Sequence, residues 1–340
     1  MVEGTKRAVI GAVAIVCGAG AAYATSACTG SDPDITGGVD AGGLPDSAAS
    51  DAGPGASDAA TDTDAVADGG GDPLGCDPKK PFTTFTNLAE LDSPSDESTL
   101  SVSADELHVV LVSLRDGSAK YWSASRTTNP GAFGTLRAET INFGNGAPQQ
   151  SALSRDGLTL YVTTGAGGAP FKVTRLDPSS PFGNGGTIGV PSSMNDALPV
   201  GTFFTAVNTL LVTGTNQVGG PSERSIWEWS GGNYASAEIV LPSPSATVAF
   251  TDPVLSKDGS TLFYARADSN AGGKREIWQT SRTTLNDPFP SPGAVVADFA
   301  GNSDAAPHFL SDDGCRLYFS TLDRPGGKGG RDIWLASRGK

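Results

Sequence analysis

The fold of this chain is decided by the stretch Ser154-Arg155-Asp156-Gly157-Leu158-Thr159-Leu160-Tyr161-Val162. It recurs as Ser256-Lys257-Asp258-Gly259-Ser260-Thr261-Leu262-Phe263-Tyr264 and as Ser311-Asp312-Asp313-Gly314-Cys315-Arg316-Leu317-Tyr318-Phe319, with worn copies around Asp105 and Leu210. Counted at the Asp position of this phrase, successive copies are 51, 50, 52 and 55 residues apart. A repeat of about 50 residues without helical periodicity is typical of propeller blades.

Each repeat carries a second landmark, written Tyr121–Arg126, Ile277–Arg282 and Ile333–Arg338, in which a Trp precedes a Ser-Arg pair. The Asp-Gly pair predicts a tight turn, and the β-branched and aromatic runs on both sides predict strands. We expect the Trp to pack between blades and the Arg to make repeated loop contacts. With two further strands per repeat, residues 76–340 are predicted to be an all-β, five-bladed propeller of four-stranded antiparallel blades.

The chain ends before the fifth repeat has an outer strand, and the segment 76–85 resembles the entry to an outer strand at Asn286–Phe289. We therefore expect this N-terminal segment to complete the last blade and close the ring, which removes exposed sheet edges. Cys76 and Cys315 then lie on neighbouring strands, close enough for a disulfide. Two buried free thiols are the alternative.

Residues 1–27 combine Lys6 and Arg7 with a run of small apolar residues and are predicted to be an export signal. Thr25-Ser26-Ala27-Cys28 resembles a lipobox, which would place a lipid on Cys28 and a lipoprotein in the periplasm or at the outer membrane. Cleavage after Ala24 would instead give a secreted protein with an unpaired cysteine.

Residues 28–75 are predicted to be a disordered acidic tether of Asp, Ala, Gly and Ser. After Cys28 this stretch has ten Asp, no aromatic residue and no Lys or Arg, so it lacks the apolar surface needed to fold. The whole chain has a net charge of −14 and no basic stripe, which argues against a nucleic-acid partner. Lipidation at Cys28 would hold the propeller, expected to be a monomer, off a membrane surface.

The Ser-x-Asp-Gly phrase follows Asp and Pro, as in Asp304–Pro307 and Asp252-Pro253, and precedes Asp332-Ile333-Trp334 or its variants. This pattern resembles the WD40-like propeller repeat of TolB-type bacterial envelope proteins. The resemblance covers residues 76–340 and implies an envelope propeller that serves as an interaction module. The N-terminal α/β domain of TolB has no counterpart here, so its partner is not carried over.

Four acidic residues, Asp96, Asp196, Asp252 and Asp304, are each expected just before the innermost strand of a repeat, where blade geometry gathers equivalent positions at one channel mouth. Such a ring predicts a site for Ca²⁺, an amine or sugar hydroxyls. The alternative is that each Asp caps its own loop and recurs with the repeat. His308 lies on the innermost strand of the last repeat and is predicted to line the same channel.

The sequence lacks a Gly-x-Ser-x-Gly elbow, a His-Glu-x-x-His helix and a phosphate-binding Gly-x-x-x-x-Gly-Lys loop. Its other histidine, His108, is expected on a polar strand face. The favoured interpretation is a non-catalytic module that binds an envelope protein or polysaccharide. The alternative is a glycosidase-like enzyme that uses channel carboxylates. Apart from the Ca²⁺ considered above, no cofactor is expected.

Overall fold

The computed structural model describes residues 75–142, 146–164, 171–188, 194–198, 210–216, 224–229, 238–300, 303–322 and 324–339. The predicted export signal, the lipidation site Cys28 and the acidic tether up to residue 74 lie outside these residues. Within these residues the regular elements are strands, apart from two short 3₁₀ helices, Ser269–Ala271 and Ala297–Phe299. Within the described ranges no helix is long and apolar enough to cross a membrane.

The strands fall into groups of four along the chain, after an N-terminal strand β1 at Phe82–Asn87. The first sheet contains β2 (Glu97–Val102), β3 (His108–Ser113), β4 (Lys120–Ser125) and β5 (Arg137–Ala138). The second sheet contains β6 (Pro148–Leu153), β7 (Thr159–Thr164), β8 (Phe171–Thr174) and β9 (Gly186–Thr187).

The remaining strands form two larger assemblies. An eight-stranded sheet contains β10 (Met194–Leu198), β11 (Leu210–Asn216), β12 (Arg224–Trp229), β13 (Glu238–Leu241), β14 (Val248–Leu255), β15 (Thr261–Asp268), β16 (Arg275–Ser281) and β17 (Ala294–Val295). The last sheet contains β18 (Ser303–Leu310), β19 (Arg316–Leu322), β20 (Arg331–Arg338) and, at its outer edge, β1.

The fold is thus an all-β propeller of four-stranded antiparallel units, as predicted, but the count of five separate blades is corrected. The described strands form four sheets, three of four strands and one of eight. The reason lies at Arg224 and Ala249, where β12 and β14 make a single parallel pair that joins two antiparallel sets of strands. The hydrogen bonds between the described strands therefore do not define a closed ring of five separate blades.

The Ser-x-Asp-Gly phrase builds the turn that leads from the innermost strand into the next. In the copy before β7, the Asp156 carboxylate accepts the backbone N–H of Leu158 at 2.9 Å, and the Ser154 hydroxyl accepts that of Thr159 at 2.8 Å. Gly157 has a φ of +72°, which favours glycine. Glu106 takes the glycine position in the first sheet with a φ of +59°. That departure from the phrase therefore preserves the turn.

The Arg at the end of the Trp motif or its variant makes the same two contacts, together called the Arg–Phe clip, in four units of the described structure, which explains its recurrence. Its Nε donates to the carbonyl of the residue at the Gly position of the turn, and its guanidinium stacks on a Phe that lies before the outer strand or at its first residue. The pairs are Arg126 with Glu106 and Phe133, Arg175 with Gly157 and Phe182, Arg282 with Gly259 and Phe289, and Arg338 with Gly314 and Phe82.

The N-terminal strand occupies the position that the sequence assigned to it. β1 pairs antiparallel with β20, from Phe82 opposite Arg338 to Asn87 opposite Trp334. Cys76 and Cys315 form a disulfide with their Cα atoms 6.2 Å apart. The Arg338–Phe82 clip lies where Arg282 meets Phe289 in the preceding unit. The segment after Cys76 is therefore the outer strand of the last sheet.

The seam, which we define as the contact between the last and first sheets, contains a buried charged network. Glu106 is 3% exposed and accepts hydrogen bonds from Arg316 Nη2 at 2.8 Å and from the Tyr318 hydroxyl at 2.7 Å. Arg126 Nη2 donates to the same hydroxyl at 2.9 Å and lies 3.7 Å from the Glu106 carboxylate. Glu106, which replaces the Gly of the repeated turn in the first sheet, thus joins β19 to that sheet.

Apolar side chains and neutral hydrogen bonds join the inner strands of the first and second sheets, and a charged pair joins their outer parts. Arg137 Nη1 donates to the Ser179 carbonyl at 2.8 Å, and buried Glu139 accepts the backbone N–H of Phe182 at 3.3 Å. A core cluster that includes Val110 and Val112 of β3 and Leu160 of β7 spans the two sheets. The Tyr121 hydroxyl lies 2.9 Å from the Gln150 carbonyl and 2.8 Å from the Thr163 carbonyl, and the Ser101 hydroxyl donates to the Ser151 carbonyl at 2.8 Å.

Three of the motif tryptophans pack in or against the larger core cluster. Buried Trp334 belongs to the cluster, and half-buried Trp122 and Trp278 pack against it.

Candidate functional site

Two of the predicted carboxylates, Asp252 and Asp304, lie at β-bulges in the innermost strands β14 and β18. The register shifts between Thr251 and Val254 in one strand and between Ser303 and Ala306 in the other. Both Asp residues have a positive φ, +50° and +53°, a conformation that Asp tolerates better than most residues. A bulge redirects a side chain out of the regular alternation. Both carboxylates consequently reach beyond their own sheet ladder.

Arg275 connects these two carboxylates. Its Nε donates to Asp304 Oδ1 at 2.8 Å, and its Nη1 lies 3.3 Å from Asp252 Oδ2. Asp252, only 2% exposed, also accepts the Thr251 hydroxyl at 2.8 Å. Arg331 supplies a second guanidinium to Asp304. The sequence interpretation missed both arginines, although Arg224, Arg275 and Arg331 share the position three residues before the motif Trp.

This arrangement determines the ionisation of its members. Although burial raises the pKa of Asp304, hydrogen bonds and charge from Arg275 and Arg331 outweigh it and lower the pKa to about 2. Burial lowers the pKa of His308 to about 4, so its imidazole is neutral near pH 7. His308 Nε2 lies 2.8 Å from the Ser320 hydroxyl. The structure thus brings Asp252, Asp304 and His308 into one neighbourhood with two arginines.

Asp96 is placed differently. It is exposed, and its carboxylate accepts the backbone N–H of Arg331 at 2.9 Å, as Asp304 accepts that of Arg275 at 3.1 Å. These repeated contacts join neighbouring sheets. The Asp therefore recurs because it bonds to the backbone of the adjacent sheet. Asp196 lies in β10, and its side chain is outside the described part. A cation at Asp304 would have to compete with Arg275 and Arg331, and the calcium site stays a prediction.

A cavity of about 570 Å³ lies beside the Asp252–Arg275 pair. Its wall comes from the first and second sheets and from the β14–β16 region: Ser98, Val112, Leu114, Ala119, Pro148, Gln149, Gln150, Thr251, Asp252 and Arg275. The innermost strands β14, β18, β2 and β6 also contact one another in that order. We call this space the central cavity, since strands of several sheets surround it.

Three charged side chains meet at the ends of the innermost strands that lie away from the central cavity. Arg155 follows β6, Lys257 follows β14 and Asp312 follows β18, and all three occupy the variable second position of the Ser-x-Asp-Gly phrase. Asp312 pairs with Arg155, and Lys257 Nζ lies 3.4 Å from the same carboxylate. β2 lies between β6 and β18, so the Arg155–Asp312 contact crosses the axis. We call these residues the floor triad.

A third charged group, Asp92, Glu97 and Asp332, is buried at the seam, with one carboxylate oxygen of each within 4.8 Å of the others. Burial raises the pKa of Asp92 to about 7 and also raises that of Glu97. Glu97 accepts hydrogen bonds from Ser93 and Ser113, and Asp92 accepts the backbone N–H of Ile333 at 2.8 Å. The group therefore ties the segment after β1 to β20 and the first sheet.

His108, the other histidine, is half-buried on β3. Its Nδ1 lies 2.8 Å from the Ser125 hydroxyl, and burial lowers its pKa. It is the first residue of β3 and lies next to the turn at Gly157, in the neighbourhood of Arg175 rather than of Arg275. The two histidines therefore belong to different regions of the molecule.

No family model matches the chain, and no curated protein matches it. Among solved structures, TolB from Acinetobacter baumannii is 18% identical with a TM-score of 0.41, over 74% of this chain and 57% of the TolB chain. A thermostable family-43 glycoside hydrolase is 14% identical with a TM-score of 0.51, over 74% and 92%.

An α-L-arabinofuranosidase from Podospora anserina is 10% identical with a TM-score of 0.48, over 73% of this chain and 92% of that one. The likeness to the family-43 enzyme supports the propeller fold and no more. The chain spans little more than half the length of the TolB it resembles.

Proposed function

We propose that this chain is an exported, membrane-tethered β-propeller that acts as a non-catalytic binding module for a protein or glycan of the bacterial envelope. In this proposal the eight-stranded sheet counts as two blades, β10–β13 and β14–β17, and the disulfide-linked β1 closes a ring of five. The central cavity is the binding site. An experimental structure in which the seam leaves the ring open would contradict the architectural part.

The observation that favours binding over hydrolysis is the state of the carboxylates. Glycoside hydrolysis ordinarily needs two carboxyl groups in one site, one of which retains its proton. Among the described lining residues Asp252 is the one carboxylate, and Arg275 and Thr251 already engage it. Neighbouring Asp304 has a pKa of about 2 and is bound by two arginines. Asp304 is therefore held as an ionised carboxylate, and Asp252 is already engaged by two hydrogen-bond donors.

Two features support export. The Cys76–Cys315 disulfide is of the kind that persists in oxidising compartments. The sequence upstream combines an apolar leader, the lipobox-like Thr25–Cys28 and a stretch of ten Asp. We infer a lipid at Cys28 and a flexible link of roughly 35 to 40 Å root-mean-square length. Mass spectrometry of the protein from its membrane fraction should find a diacylglyceryl-modified Cys28 at the N-terminus.

The binding role is tested with the full-length protein from an envelope preparation. Gln149→Trp places a bulky side chain in the cavity, whereas Gln279→Trp alters an exposed Gln of β16 outside the described lining. We expect the first variant to lose retention of an envelope component and the second to keep it, with equal melting temperatures. Release of reducing ends from a polysaccharide by the wild type, abolished in Asp252→Asn, would overturn the non-catalytic assignment.

A further inference from the structure

We propose that the central cavity binds the end of a neutral, hydroxyl-rich chain, in chemical terms a neutral saccharide terminus. This inference rests on the proposed binding function and narrows its ligand to one class. Three features of the molecule carry it: the charge balance of the cavity, the chemistry of its walls and the floor triad at the opposite end of the innermost strands.

The charges at the cavity neutralise one another. Within the described lining the ionic groups are Asp252 and Arg275, whose atoms lie 3.3 Å apart. Arg275 is further bound to Asp304, which also pairs with Arg331. Two carboxylates and two guanidiniums therefore form a compensated set. A charged ligand would lose hydration without gaining a free counter-charge, so a neutral ligand is favoured.

The walls suit a ligand with many hydroxyls. Ser98, Thr251, Gln149 and Gln150 line the cavity, and hydroxyl and amide side chains both donate and accept hydrogen bonds. Val112, Leu114 and Pro148 supply an apolar surface on the side of the first and second sheets. A sugar ring has the same two-sided character, with hydroxyls at its rim and C–H groups on its faces. The volume of about 570 Å³ lies in the range of small-molecule sites.

The floor triad decides how such a chain enters. Arg155 and Asp312 meet across the axis, and Lys257 contacts the same carboxylate, so ionic side chains occupy the path between the innermost strands. The Arg155 carbonyl also accepts the N–H of Ala104 at 2.9 Å, which adds the turn after β2 to this group. We therefore expect a chain that enters beside Asp252 to present an end rather than to thread through.

The experiment titrates the full-length protein calorimetrically with linear neutral oligosaccharides of glucose, galactose, mannose, xylose and N-acetylglucosamine. Each hexose oligomer is paired with its C6-oxidised uronic acid form of equal length. We expect at least one neutral oligomer to bind, at least tenfold more tightly than its acidic counterpart where it has one. A bulky fluorophore at one end of that oligomer should abolish binding, whereas the same label at the other end should be tolerated.

Gln149→Trp should weaken binding more than tenfold, and Gln279→Trp should leave it within twofold. Binding of the acidic forms only, equal tolerance of labels at both ends, or no binding of any oligosaccharide at 10 mM would overturn the inference. If an envelope protein is then still retained by the wild type and lost in Gln149→Trp, the binding module survives without the saccharide. If neither ligand class responds to Gln149→Trp, both proposals fail.

Discussion

The seam and the interface between the first and second sheets join similar strands by different means. The seam buries Glu106 with Arg316, Arg126 and Tyr318, and adds three buried carboxyl groups. The other interface relies mainly on an apolar cluster and neutral hydrogen bonds, with one charged pair, Arg137 and Glu139, at its outer part. The first and second sheets follow each other along the chain, whereas the seam joins segments more than 200 residues apart. The larger group of buried charged side chains therefore lies at the junction between segments that are distant in sequence.

The largest expected effect comes from Glu106→Gln at the seam. The change removes the carboxylate that faces buried Arg126, whereas Arg316 keeps Asp313 at 2.9 Å. Breaking a buried ion pair on one side typically costs about 3 to 5 kcal/mol. Tyr121→Phe at the other interface removes one neutral hydroxyl and should cost about 1 kcal/mol. Urea unfolding of both variants measures the difference. Equal losses would mean that the two interfaces depend on polar contacts to the same degree.

Removal of the disulfide should have the next largest effect. Cys76→Ser with Cys315→Ser, or reduction of the wild type, frees the segment ahead of β1 and should lower the free energy of unfolding by about 2 to 4 kcal/mol. The double variant is also the control, because a reductant should not destabilise it further. An unchanged midpoint in reduced wild type would show that pairing of β1 with β20 suffices.

A smaller effect should appear in the pH dependence of the seam. The pKa of Asp92 rises from 3.8 to about 7 on folding, so the folded state binds the extra proton between these values. Stability should therefore fall as pH rises from about 4 to 7 and stay lower above 7. Asp92→Asn cannot titrate and should gain about 1 to 3 kcal/mol over the wild type across that window. Melting temperatures at pH 4, 5.5, 7 and 8.5 test this.

An exposed carboxyl group provides the control for that pH series. Glu276→Gln on β16 should follow the wild-type profile throughout. If Asp92→Asn and the wild type run parallel between pH 4 and 8.5, Asp92 does not hold its proton in the folded state.

The smallest effect is expected for Ser101→Ala between the first and second sheets. The change removes a hydroxyl that donates to the Ser151 carbonyl, and a neutral hydrogen bond of this kind contributes about 0.5 to 1.5 kcal/mol. Chemical denaturation should detect a small shift with an unchanged slope. If the free energy of unfolding fell as much as in Glu106→Gln, the interface between the first and second sheets would depend on this polar contact rather than on its apolar cluster.

Much of the scaffold could be predicted because its signals are local. The Asp156-Gly157 turn and the repeated loop contacts of the motif Arg rest on short motifs that fix their own geometry, and the position of β1 follows from the match of its segment to another outer-strand entry. The stacking of each Arg on a Phe was not predicted. The parallel pair at Arg224 and Ala249 had no such signal, and it changed the number of sheets. Whether two antiparallel sets share one hydrogen bond depends on how closely neighbouring units approach, which no motif encodes.

The candidate site was predictable only in part. The sequence pointed to Asp252, Asp304 and His308 through their repeat positions, and they do share one neighbourhood. Their arginine partners were not predicted. The bulges at Asp252 and Asp304 direct both carboxylates toward Arg275 and break the regular alternation of side chains on which the prediction relied. The floor triad was also missed. Residues at the variable position of a repeat look unrelated until non-neighbouring strands face each other across an axis.

The position of the disulfide determines how the molecule carries mechanical load. Cys76 precedes β1, and Cys315 lies in the turn before β19. Tension applied to the chain anywhere upstream of residue 76 passes through the sulfur–sulfur bond into the interior of the last sheet. The hydrogen bonds between β1 and β20, which would otherwise be peeled apart one after another, lie outside this force path. The outermost strand can therefore stay paired while the segment in front of it is pulled.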